Sequence, residues 1–193
     1  MGDWKPESKL VDGMIIVMGL PGAGKSTVLA AANGSGYEML NWGTEMFEIA
    51  KVKFGISDRD MLRKLSPEQQ KEVQALVGKK LSHEHGRVIL DTHCSINTPK
   101  GYLPGLPYEL LRNLKVDRLV LVSAPIGDIM ARRGRDATRL RDAQTPQSLQ
   151  EHDDMNKAFL AAYSVLTGAP ATIILNTDGG LEEAKMKFRS LLE

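Results

Sequence analysis

Five short apolar runs recur along the chain, at residues 14–18, 37–42, 88–90, 119–122 and 172–175. They are continuous rather than alternating, the pattern of strands buried on both faces of a parallel sheet. The segments between them carry helical signals. Residues 25–32 follow the first run, and residues 44–54 place Met46, Phe47, Ile49 and Ala50 on one side. Ser66 reads as an N-cap with Pro67 at the first helical position and Gln69 completing a capping box. Thr145 and Pro146 start a long helix in the same way, and Gly168 is its stop signal; a last helix spans 181–192. Strand and helix alternate, so the chain predicts a doubly wound α/β fold with right-handed crossovers, in which ligands sit beyond the carboxyl ends of the strands.

Two stretches break the rhythm. Residues 92–107 read as a long loop rich in Pro and Gly, and 132–141 hold five arginines. Loops of that length in a compact domain are usually functional. Residues 1–12 are polar, carry Pro6 and predict a flexible arm ahead of a single domain over 13–193. No apolar run approaches the ~20 residues of a membrane span. One cysteine, Cys94, rules out a disulfide framework and favours a cytoplasmic setting. The net charge of +1 provides no bulk field to hold nucleic acid, so any basic site must be local.

The local chemistry starts at Gly19-Leu20-Pro21-Gly22-Ala23-Gly24-Lys25-Ser26-Thr27, which matches G-x-x-x-x-G-K-[ST] between an apolar run and a helical pattern. The glycines let the backbone curl so that amides converge on phosphate oxygens, and the helix N-terminus adds partial positive charge. Lys25 is expected to reach the β- and γ-phosphates of ATP, and the Ser26 hydroxyl to ligate Mg²⁺. The expected fold is thus a P-loop NTPase-type three-layer α/β/α sandwich around a mostly five-stranded parallel sheet. The motif fixes nucleotide binding and leaves the reaction open, since P-loops also serve GTPases, ATPases and motors.

Asp91 ends the third apolar run and is the expected acid on the metal side, bound directly or through water. Arg132, Arg133, Arg135, Arg139 and Arg141 suggest a phosphate clamp, because guanidinium forks grip phosphate oxygens bidentately. Arg139 and Arg141 are the first choices for this clamp. Asp136 and Asp142 interleave with them, so a solvated charged helix is the plain alternative. On the acceptor side stand Asn41-Trp42-Gly43-Thr44, then Arg59 and Arg63.

The stretches GLPGAGKST, NWGTEMFEIA, DRDMLRKL, DTHCSINTPKGYLPGLP, RRGRDATRLRD and EHDDMNKA resemble the archaeal-type adenylate kinases, the trimeric branch of the nucleoside monophosphate kinases. The resemblance covers about residues 14–192. It implies the reaction ATP + AMP ⇌ 2 ADP with Mg²⁺, and acceptor-binding helices over about 43–85 with Thr44, Arg59 and Arg63 near the AMP. It also implies a lid with Arg139 and Arg141 and a cytoplasmic homotrimer without membrane or nucleic-acid partners. The D-G-[FY]-P-R motif of the usual bacterial and eukaryotic adenylate kinases is replaced here by Asp91-Thr92-His93-Cys94, so Arg63, Arg59 or Lys100 takes over the work of the arginine in that motif. The rival readings are another small-molecule kinase, a nucleotide-dependent switch and an RNA-associated ATPase. His93 and Cys94 read as loop packing, and Tyr102 as a lesser ligand contact.

Overall fold

The structure is a computed structural model that describes residues 13–82, 86–135 and 144–193, the side chain of Arg63 excepted. β1 (Met14–Gly19) leads into α1 (Lys25–Leu29), which runs on through a 3₁₀ turn at Ala30–Ala32. β2 (Glu38–Asn41) passes directly into α2 (Trp42–Phe54), followed by a 3₁₀ turn (Arg59–Lys64) and α3 (Pro67–Ser82). Then come β3 (Val88–Asp91), β4 (Ser95–Thr98), β5 (Gly101–Pro104), α4 (Tyr108–Leu111), β6 (Val116–Ser123) and α5 (Ile126–Arg135). α6 (Pro146–Thr167), β7 (Ala171–Leu175) and α7 (Leu181–Arg189) complete the described chain.

The central sheet has five strands in the order β2-β3-β1-β6-β7, and every pairing is parallel. Side chains alternate between two cores, as the period of a strand requires. Met14, Ile16 and Met18 of β1 pack with Leu90, Leu121, Val73, Val77, Leu160 and Tyr163 on the face covered by α2, α3 and α6. Ile15 and Val17 pack with Ile89, Val120, Val28, Ile129 and Phe188 on the face covered by α1, α5 and α7. This is the expected three-layer sandwich. Full burial holds for β1 and fails at the edges, where Met39 of β2 and Ile173 and Leu175 of β7 are exposed, because an edge strand has a neighbour on one side only.

The helix signals act as read. Ser66 and Gln69 exchange reciprocal hydrogen bonds. Thr145 Oγ1 accepts from the Ser148 amide, and Gly168 closes α6 in the left-handed conformation. Residues 92–107 differ from the expected loop: β4 and β5 form an antiparallel hairpin there. Its turn is held by Thr98, whose hydroxyl donates to Gly101 O (2.7 Å) and accepts from the Lys100 amide (3.2 Å), and Gly101 takes the positive φ that its residue type allows. Pro and Gly in this stretch therefore build a turn. Among the described residues no helix is long and apolar enough to cross a membrane.

Candidate active site

Parallel pairing brings the carboxyl ends of all five strands to one side of the sheet, and the register decides which residues meet there. Asp91 is the partner of both Asn41 in β2 and Val17 in β1, while Gly19 faces Val122 in β6. The P-loop turn leaves β1 at that edge. Gly22 and Gly24 have φ of 95° and 81°, in the left-handed region that side chains avoid. Space is short as well. A Cβ on Gly22 would lie 3.1 Å from Arg133 Cγ and from Ile129 Cγ2, and one on Gly24 would collide with Asn176 Nδ2.

The outer side of this turn is braced. Pro21 O accepts from Arg133 Nε at 2.8 Å, and Ala23 O accepts from Asn176 Nδ2 at 2.8 Å and Arg132 Nη1 at 3.5 Å. In a trans peptide the N–H points opposite to the carbonyl. Turning these two carbonyls outward therefore turns the Gly22 and Gly24 amides inward, toward the head of α1, where helical amides lack intrahelical partners. Ser26 and Thr27 are exposed on that first turn.

Lys25 forms an ion pair with Asp91 Oδ1 and donates to Thr92 O at 2.8 Å. Asp91 Oδ2 accepts from Asn41 Nδ2 at 2.9 Å. Asn41 Oδ1 in turn accepts from the Thr44 amide (3.1 Å), the Thr44 hydroxyl (3.2 Å) and Arg59 Nη2 (3.2 Å). Lys25, Asp91, Thr44 and Arg59, named separately from the sequence, thus belong to one hydrogen-bonded chain. Arg63 lies on the same 3₁₀ turn as Arg59. Arg139 and Arg141 fall outside the described residues, as does most of the lid segment.

The described arginines of the cluster have partners in the protein. Arg132 pairs with Asp178 (2.7 Å) and donates to Asn176 O (3.0 Å); Arg135, one turn along α5, lies 3.7 Å from Asp178. Arg133 links Pro21 to Gln144 Oε1 (2.7 Å), tying the start of α6 to the P-loop. Sequence reasoning missed Asn176 and undervalued Asn41. The available signal was position, since each stands at the carboxyl end of a strand in a parallel sheet.

The neighbouring loop residues pack. Cys94 is buried, its thiol donates to Asn156 O at 3.2 Å, and burial pushes its pKa up to about 12. Tyr102 of β5 sits against the His152 ring, with centroids 5.1 Å apart. Lys100 is exposed in the hairpin turn and His93 is exposed beside Asp91.

An AAA-domain family model matches residues 18–150, from the end of β1 into the first turns of α6. The adenylate kinase of Methanocaldococcus jannaschii is 42% identical over 188 residues, covering 93% of this chain and 98% of that protein. The adenylate kinase of Methanopyrus kandleri is 43% identical over 181 residues, covering 91% and 95%. The chain is an AAA-domain member of the adenylate kinase family. Membership makes it a phosphotransferase, and the P-loop geometry above is the part of the molecule suited to that chemistry. Among solved structures, shikimate kinase from Acinetobacter baumannii in complex with shikimate superposes with a TM-score of 0.59 at 19% identity, covering 95% of this chain and 94% of that one. Shikimate kinase from Bacteroides thetaiotaomicron gives 0.59 at 15% identity, covering 94% and 99%. At such identities the likeness is one of fold.

Proposed function

We propose that the chain catalyses ATP + AMP ⇌ 2 ADP by direct in-line transfer, with the donor on the P-loop and the acceptor beside Thr44 and Arg59. The carrying observation is the continuous hydrogen-bonded chain from Lys25 through Asp91 and Asn41 to Thr44 and Arg59, which supports a reading with the donor phosphates at one end and the acceptor phosphate at the other. A phosphate oxygen of AMP attacks the γ-phosphorus, and the bond from that phosphorus to the β,γ-bridging oxygen breaks. Two ADP molecules result, and no covalent enzyme intermediate is needed. Catalysis is then positioning and charge neutralisation. The P-loop turn, residues 19–27, cradles the ATP phosphates and Lys25 follows the charge on the transferring group. Arg59 and Arg63 grip the AMP phosphate. Arg139 and Arg141 close over both on a lid at about 132–145, which excludes water that would otherwise hydrolyse ATP.

The site fits Mg²⁺, because Ser26 and Asp91 offer the hard oxygen donors this ion prefers. Both carboxylate oxygens of Asp91 already accept a hydrogen bond, so contact through metal-bound water suits it best. The ion would offset charge on the β- and γ-phosphates. A cytoplasmic homotrimer completes the reading. Self-association is supported by Ile96 and Leu103, opposite one another on the hairpin and both exposed. The net charge of +1 and the single buried cysteine suit an enzyme of the cytoplasm that works on nucleotides rather than nucleic acid.

A panel of acceptors with Mg-ATP tests this, read as ADP formation with AMP, CMP, GMP, UMP and shikimate. AMP is expected to be the best acceptor. If it is no better than the others, the assignment of the acceptor fails.

A further inference from the structure

Asn41 stands at the junction between the two halves of that hydrogen-bonded chain. It is the last residue of β2 and the N-cap of α2, and its backbone register places it directly beside Asp91. Its two side-chain ends do different work. The NH₂ end donates to Asp91, whose other oxygen holds Lys25. The carbonyl end accepts from Thr44 and Arg59. A carboxamide is the group that can face a carboxylate with one end and a set of donors with the other. Gly43 belongs to the same device: a Cβ there would collide with Arg59 Nη2 and stand 3.4 Å from Asn41 Oδ1. The missing side chain is what allows the guanidinium to reach Asn41.

We infer that Asn41 is a positioning residue, which aligns the donor-phosphate lysine, through Asp91, with the acceptor-phosphate arginine, and that Gly43 is kept clear for the same purpose. The inference deepens the proposed function and rests on it. Arg59 is exposed on its 3₁₀ turn, and its guanidinium donates to Asn41 Oδ1. Without that anchor the guanidinium has no fixed place relative to Lys25. In-line transfer between two bound nucleotides is sensitive to such a loss, since a displacement of about 1 Å can cost on the order of 100-fold in rate.

The plain competitor is that Asn41 only caps α2. Substitution separates the two roles, because Ser and Asp cap helices about as well as Asn. Asn41→Ser keeps the cap and cannot span to Asp91. Asn41→Asp keeps the cap and sets a second carboxylate against Asp91, so that one of the pair holds a proton to a higher pH. Both variants are expected to melt near the wild-type temperature and to lose about 10- to 100-fold in kcat. Asn41→Asp is also expected to lose further activity as pH rises and the shared proton leaves, a decline that wild type and Asn41→Ser lack. Gly43→Ala leaves the cap untouched and is expected to raise KM for AMP about tenfold with little change in KM for ATP, the loss of one charged contact to phosphate. Wild-type kcat and KM in Asn41→Ser, or losses in all three variants that merely follow their melting temperatures, would overturn the inference. A wild-type protein that makes no ADP from AMP brings down the proposed function and this inference together. An active wild type with equally active variants removes only the role of Asn41.

Discussion

Lys25 shows how much one side chain carries. Its ammonium rests on Asp91 and the Thr92 carbonyl, at the carboxyl end of β3. A triphosphate in the P-loop would offer it a denser anion, to which the same group could turn from the carboxylate. Lys25→Met keeps the aliphatic stem and removes the charge. It is expected to lower kcat by about 10²- to 10³-fold, the scale for removing one preorganised electrostatic contact to a transition state. Steady-state kinetics and thermal melting check this together: activity should collapse while the fold stays intact, and near-normal turnover would refute the assigned role. The neighbours of Lys25 were only partly legible. Gly22, Gly24, Lys25 and Ser26 are adjacent and their spacing is a signature. Asn41 reaches a carboxylate 50 residues away, and Asn176 reaches a P-loop carbonyl 153 residues away, and local pattern holds no trace of such contacts.

At the scale of elements, α6 is the strut that holds the hairpin beside the site. Tyr163 donates to Cys94 O at 2.7 Å, Ser95 donates to Asn156 Oδ1 at 2.6 Å, and His152 packs at a tilt against Tyr102. His152 is buried between these elements, and that burial holds its pKa below the ordinary value, partly offset by the Ser95 carbonyl. The unfolded chain takes a proton at His152 near pH 6.5. The folded chain takes it only at lower pH, so the unfolded state binds more protons in between. This contribution to stability is present above about pH 6.5 and is lost as pH falls through the folded value. Differential scanning calorimetry from pH 7.5 to about pH 5 should show the melting temperature falling, and His152→Gln should reduce that slope. An unchanged slope would mean that His152 takes up its proton at the same pH in the folded and unfolded states. The limits of α6 were readable from its caps, whereas the hairpin was hidden because Pro, Gly and Thr serve loops and tight turns equally.

The whole molecule is a parallel sheet whose order, β2-β3-β1-β6-β7, gathers the P-loop, Asp91 and Asn41 at one edge. Its outer surface carries a second feature of this scale. Ile96 and Leu103 pair across the hairpin with 47% and 55% of their surface exposed, an apolar pair suited to the proposed contact between copies. If the proposed trimer is held there, replacing both by Glu turns it into monomers in sedimentation, with the melting of the single chain little changed. Identical sedimentation before and after would place the contact elsewhere. The amino-acid sequence by itself determined the fold class, the cradle for phosphate, the lysine and the acid, because periodicity, caps and motif spacing are local properties of a chain. Only the tertiary structure decided that Arg132 and Arg133 brace the back of the P-loop, that Asn41 joins its two sides and that residues 95–104 form a hairpin. Those outcomes depend on which strand lies beside which, and register between distant strands is chosen by burial of the entire core.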